Sequence, residues 1–316
     1  MSDTDLHFAV LFPGQGSQSV GMLSALAEAH SEVEETFAEA SDALGFDLWR
    51  MVVSGPEDEL NRTENTQPAL LAGSVAIWRI WSRGLVRGPA WLAGHSLGEY
   101  SALVCADALD FRDAVRLVRE RGCAMQEAVA PGVGAMAAIL GLDDATIVAL
   151  CCDVSRSDLS VSAANFNAPG QVVVAGHADA VRRLVDLAKG QGAKRAIVLP
   201  VSVPSHCELM RPAAQRLGML LSGLPIGVPA TPVLHNADVA AHRDAAEIRA
   251  ALVEQLYRPV RWTESVRAMA KSGVTHFVEC GPGKVLSGLN KRIVPGCNVS
   301  SVNDPESLNK ALELLS

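Results

Sequence analysis

Apolar and polar residues fall in blocks along the chain, and the period changes from block to block. His7 to Pro13 (HFAVLFP) is a continuous apolar run of strand length and predicts a buried strand. The loop GQGSQ follows, then a helical pattern to about Leu44 in which Ser31 and Glu34 have capping-box spacing. Gly55 and Pro56 break that pattern. Pro68 suits a helix start, and Leu71, Val75 and Trp78 recur at i, i+4 and i+7 to form one apolar face. Ala90 to Gly94 predicts a short strand running directly into GHSLGEYSALVCA, a strand, sharp turn and helix of the kind that builds an α/β sheet.

From about Val129 the order becomes strand (Gly134 to Leu140), helix (Asp143 to Cys152), strand (Leu159 to Asn165), strand (Gln171 to Ala175), helix (Ala178 to Lys189) and strand (Arg195 to Val203). A βαββαβ order is the ferredoxin-like signature. Because α/β stretches flank it, residues 129–205 are expected to form a small subdomain inserted into a larger one made of 1–128 and 206–316. Beyond Pro204 the pattern resumes as helix, strand and helix, with Thr231 to His235 and Thr275 to Cys280 as strands.

Length and composition agree with two folded units: 316 residues, 49% of them hydrophobic, at roughly 150 residues per domain. The net charge of −8 argues against a nucleic-acid partner, which would select a basic surface, and favours small molecules or proteins. The seven cysteines include no C-x-x-C pair, so reduced thiols in a cytoplasmic protein are expected. Pro68 to Trp78 and Gly132 to Leu142, the longest apolar stretches, are far shorter than the ~20 residues of a membrane span. Asp3 and Asp5 stand where a signal peptide would carry Lys or Arg, so export is not expected.

Gly94-His95-Ser96-Leu97-Gly98 matches G-x-S-x-G, the nucleophile elbow, in which a serine hydroxyl projects from a tight turn and the next backbone N–H faces a developing oxyanion. The alternative is a plain helix cap, Ser96 paired with Glu99. A serine needs a base, and His206 is the best placed histidine because it follows a predicted strand and Pro204; His95 would point away across the turn. No acid between Ser96 and His206 sits where a catalytic triad needs one, which suggests a neutral partner for the imidazole. No metal-ligand spacing occurs, and neither GQGSQS nor Gly281-Pro282-Gly283-Lys284 fits a nucleotide-phosphate motif. On a helix from Asp110, at about 100° per residue, Val115, Val118, Met125 and Val129 share one face. Arg112, Arg116 and Arg119 are assigned to the solvated side. Arg121 projects partly inward, where its guanidinium must meet a carboxylate, either structural or carried by a substrate.

Together, FPGQGSQ, TQPAL, GHSLGEYSALV, Arg121-Gly122, NFNAPGQVV, VPSH and GPGKVL resemble the malonyl-CoA:acyl carrier protein transacylases of bacterial type II fatty acid synthesis. The resemblance implies an α/β fold with an α/β-hydrolase-like large subdomain and a ferredoxin-like small one. It places the nucleophile on Ser96 and the base on His206. It also implies backbone N–H groups of Gln15 and Leu97 at the oxyanion, Arg121 on the malonyl carboxylate, Gln255 orienting the histidine, and Gln67, Asn165 and Ser205 lining the pocket. The partners implied are malonyl-CoA and acyl carrier protein, with no metal or redox cofactor and a monomeric enzyme. Lys189, Lys194, Arg195, Lys284, Lys291 and Arg292 are the candidate basic patch for an acidic carrier. A serine thioesterase or hydrolase, the malonyl-transfer subunit of a malonate decarboxylase complex, and a noncatalytic binding module are the other readings.

Overall fold

The computed structural model describes residues 7–201 and 203–315; Asp3 and Asp5, on which the expectation about export rests, lie outside the described residues. Among the described residues nine strands form two sheets. β1 (Phe8–Phe12), β2 (Trp91–Gly94), β7 (Val233–Leu234), β8 (His276–Cys280) and β9 (Asn298–Val302) make a parallel sheet in the order β7-β2-β1-β8-β9. β1 and β8 are buried along their whole length because helices cover both faces, which is why HFAVLFP reads as an unbroken apolar run.

The second sheet contains β3 (Gly134–Leu140), β4 (Val161–Ala168), β5 (Gln171–His177) and β6 (Arg195–Val198), antiparallel in the order β4-β5-β3-β6. Its helices, Asp144–Val154 and Ala178–Gly190, pack on it around their own apolar core, centred on Ile139, Ile147, Val174 and Leu184. This is the predicted ferredoxin-like arrangement, with β6 ending at Val198 rather than near Val203. The antiparallel sheet meets the larger unit through β4: Asn165 bridges Val260, and Ala168 joins the larger unit's core.

Three local expectations are corrected. Ser31 does not close a capping box with Glu34; its backbone is already helical and its hydroxyl donates to Glu35. Pro68 does not start its helix, which runs Thr63–Trp81. The carbonyl that Pro68 cannot serve, that of Glu64, lies 3.5 Å from Arg119 Nη1, which also donates to Asn65 Oδ1 at 2.9 Å. Arg119 is therefore half-buried and tied down, not solvated like Arg112 and Arg116; it projects only about 40° from Val115, on the flank of the apolar stripe. Among the described residues no helix is long and apolar enough to cross a membrane, and all seven cysteines are free.

Candidate active site

Three neighbouring parallel strands deliver their carboxyl ends to one place, as open α/β sheets do. β1 leads to Gln15, β2 to His95 and Ser96, and β7 to His235 and Asn236. The turn after β2 is tight enough to exclude side chains: a Cβ on Gly94 would lie 1.8 Å from the Gly98 carbonyl carbon, and one on Gly98 would lie 2.1 Å from the Phe12 oxygen. Between these glycines Ser96 is held at φ 52°, a left-handed conformation that L-residues seldom adopt. Its hydroxyl projects into a cavity of about 210 Å³. The helix-cap alternative fails, because Glu99 is fully buried and its carboxylate accepts hydrogen bonds from His235 Nδ1 (2.6 Å), the Asn236 N–H (3.0 Å) and Gln255 Nε2 (2.8 Å).

His206 Nε2 stands 2.8 Å from Ser96 Oγ, and Nδ1 stands 2.7 Å from the Gln255 carbonyl oxygen. A carbonyl only accepts, so Nδ1 carries the proton and the Nε2 lone pair faces the hydroxyl. Burial, followed by the nearby Arg121 charge, pushes the imidazole pKa down to about 3 and keeps it neutral. The neutral partner foreseen for the histidine is thus the main chain of Gln255. Its side chain is engaged elsewhere: Nε2 donates to the Ser96 carbonyl and to Glu99, while Oε1 accepts from Arg121 Nη2 at 2.9 Å.

Arg121 is 1% exposed and points into the same cavity from the helix Phe111–Glu127. Gly122 beside it brings that helix onto its neighbour, since a Cβ there would lie 2.6 Å from Glu64 Cα. Nη1 donates to Gln67 Oε1 (2.8 Å) and Nη2 reaches Ser96 Oγ (3.3 Å); the guanidinium also lies over the Tyr100 ring. Among the described residues no carboxylate pairs with it within 4.0 Å, and Nε has no partner. A buried cation solvated by two amides and lacking a carboxylate partner leaves a charge that an anion entering the cavity can neutralise.

Gln15, Leu97, Asn165 and Ser205 all line the cavity, whereas Gln67 sits behind Arg121 and does not. Among the described residues the N–H groups of Gln15 and Leu97 have no acceptor, so both remain available to an oxyanion. His95, expected to face away, also lines the cavity, with Nε2 2.8 Å from Asn167 Oδ1. The opposite wall is apolar: Met136, Val173, Leu199, Val201 and Val203, from or just beyond the antiparallel sheet. Cys207, adjacent to His206, is buried and its thiol is pushed up to about 12, so it supplies no thiolate. Sequence reasoning missed Glu99, His235 and Asn236. The latter two lie at the carboxyl end of a predicted strand, the position where such sheets place functional groups.

Residues 9–295 match the family described as the acyl transferase domain. The chain is 58% identical over 306 residues to the malonyl CoA-acyl carrier protein transacylase of Salmonella typhimurium, covering 97% of this chain and 99% of that protein. It is similar in structure to a malonyl-transacylase solved with its type II PKS acyl-carrier protein (TM-score 0.96, 56% identity, 98% of this chain and 99% of that one). The transacylase of Coxiella burnetii is similar as well (TM-score 0.96, 48% identity, 98% of each chain). The chain belongs to the acyl transferase domain family and, within it, to the malonyl CoA-acyl carrier protein transacylases.

Proposed function

We propose that this enzyme moves a malonyl group from malonyl-CoA to the phosphopantetheine thiol of acyl carrier protein, in ping-pong fashion, through a malonyl ester on Ser96. Ser96 Oγ attacks the thioester carbonyl carbon as its proton passes to His206 Nε2. The negative charge gathers on the carbonyl oxygen opposite the free N–H groups of Gln15 and Leu97. The C–S bond then breaks, and His206 returns the proton to the departing CoA thiolate. In the second half-reaction His206 takes the proton of the carrier thiol, the sulfur attacks the malonyl ester, and the proton goes back to Ser96.

The observation that carries this reading is the unpaired Arg121 guanidinium within 3.3 Å of the nucleophile. A simple serine hydrolase has no use for a buried cation there, whereas an acyl group that ends in a carboxylate does. Asn165 and Ser205 would border the acyl group, and Gln67 would hold Arg121 from behind. The carrier would dock on basic residues at the seam of the two sheets. Lys194, Arg195 and Arg292 share one cleft there, although Arg292 already donates to Gln171 and the Pro169 carbonyl, and Lys189 lies 3.7 Å from Asp186.

We read the enzyme as a cytoplasmic monomer of fatty acid biosynthesis, with the catalytic unit in 1–128 and 206–316 and the small unit in 129–205. The free cysteines and a site completed within one chain support that reading. The test is the intact mass after brief exposure to malonyl-CoA, followed by peptide mapping and addition of carrier protein. One malonyl on Ser96, discharged onto the carrier, is expected; a label on Cys207, or none, overturns the mechanism.

A further inference from the structure

We propose that Asn236 is a positioning residue for Ser96: its side chain clamps the strained elbow from both sides and so sets the rate of acylation without taking part in acyl selection. The inference rests on the reading of Ser96 as the nucleophile. Asn236 Oδ1 accepts the Ser96 N–H at 2.7 Å, and Asn236 Nδ2 donates to the Gly94 carbonyl at 2.7 Å. One amide thus satisfies a donor and an acceptor of the turn whose central residue stands at φ 52°. That conformation is strained and persists only where surrounding contacts impose it.

The clamp is itself fixed. Asn236 is 1% exposed, its own N–H donates to Glu99 Oε2, and its carbonyl accepts from the Arg261 N–H. Because Asn236 Oδ1 occupies the Ser96 N–H, the turn keeps only the Leu97 N–H facing the cavity, opposite that of Gln15. Asn236 does not line the cavity, and none of the described hydrogen bonds joins it to Arg121 or His206. Its loss would leave the carboxylate site and the base in place and release the nucleophile to relax, where a displacement of about 1 Å costs roughly 100-fold.

The test is rapid-quench acylation of Asn236→Ala by malonyl-CoA and by acetyl-CoA, read as intact mass at several concentrations and normalised to folded protein. The maximum acylation rate should fall about 10- to 100-fold for both acyl groups, the half-saturation concentration should hold, and the pH profile should be that of the wild type. If Asn236→Ala does not fold, Asn236→Ser, whose hydroxyl is too short to span Ser96 and Gly94, should show the same loss. Wild-type rates in the folded variant overturn the proposal, as does a loss confined to malonyl, which would assign Asn236 to carboxylate recognition. Absence of label on wild-type Ser96 would instead overturn the underlying mechanism.

Discussion

The two walls of the catalytic cavity are made by different parts of the molecule and of different chemistry. The wall at the carboxyl ends of the parallel strands is polar, buried and cross-linked: Ser96, His206 and Arg121 face the cavity, Gln255, Glu99 and Asn236 back them, and hydrogen bonds of 2.6 to 3.3 Å join the set. The wall from the antiparallel sheet is mostly apolar, with Met136, Val173 and Leu199, which contact an occupant only by shape, beside two amides from β4, Asn165 and Asn167. Each buried polar group on the first wall needs its partners, so a change there leaves its immediate neighbours unsatisfied. The apolar residues of the second wall carry no such network, so substitution there acts through volume and shape. On the proposed mechanism, charge recognition and bond making lie on the first wall, and limits on size mainly on the second.

Breaking the polar wall at its centre has the largest expected effect. Ser96→Ala should abolish the acyl-enzyme and lower transfer by at least about 1,000-fold, measured by carrier malonylation; turnover within tenfold of wild type would remove Ser96 from the chemistry. On the apolar wall, Met136→Ala should leave malonyl transfer within about threefold while raising transfer of a 2-methyl-substituted malonyl group about tenfold, the worth of one methylene's space. Equal loss of both would make this wall part of the catalytic web. Outside the cavity, Lys194→Glu or Arg195→Glu should slow discharge onto an acidic carrier several-fold, more at low salt, with loading of Ser96 unchanged; salt-independent loss in both half-reactions would argue against docking there. The smallest expected effect is of pH. With the His206 pKa lowered to about 3, the base is already neutral throughout, so the acylation rate should stay level from about pH 5.5 to 8. A rise with a midpoint near 6.5 would mean that His206 titrates as an exposed imidazole.

Much of this division was legible in the sequence. Of the parallel strands, β1 and β2 announced themselves as short apolar runs, and the elbow as a G-x-S-x-G between a strand and a helix. β9 did not, because Asn298, Ser300 and Ser301 make an edge strand as polar as a loop. Arg121 was readable from helix projection, but Arg119 was misassigned: it projects as close to one edge of the apolar stripe as Arg121 does to the other, and a carbonyl freed by Pro68 on the neighbouring helix captures it. The role of the Gln255 main chain left no trace in residue type, since any residue supplies a carbonyl. Glu99 and Asn236 meet across a sequence separation of 137 residues, and no local pattern encodes that.

The central claim is that the polar wall recognises a carboxylate through Arg121, and Arg121→Ala tests it most directly when transfer of malonyl and acetyl groups is compared in the same preparation. A malonyl carboxylate entering this cavity loses its hydration and regains it only from the guanidinium, while acetyl needs no such partner. Malonyl kcat/KM should fall by roughly 2 to 5 kcal/mol, acetyl should hold or rise, and Arg116→Ala, on the solvated side of the same helix, should change neither. Equal loss of malonyl and acetyl transfer with the fold intact would contradict the account and make Arg121 a structural residue.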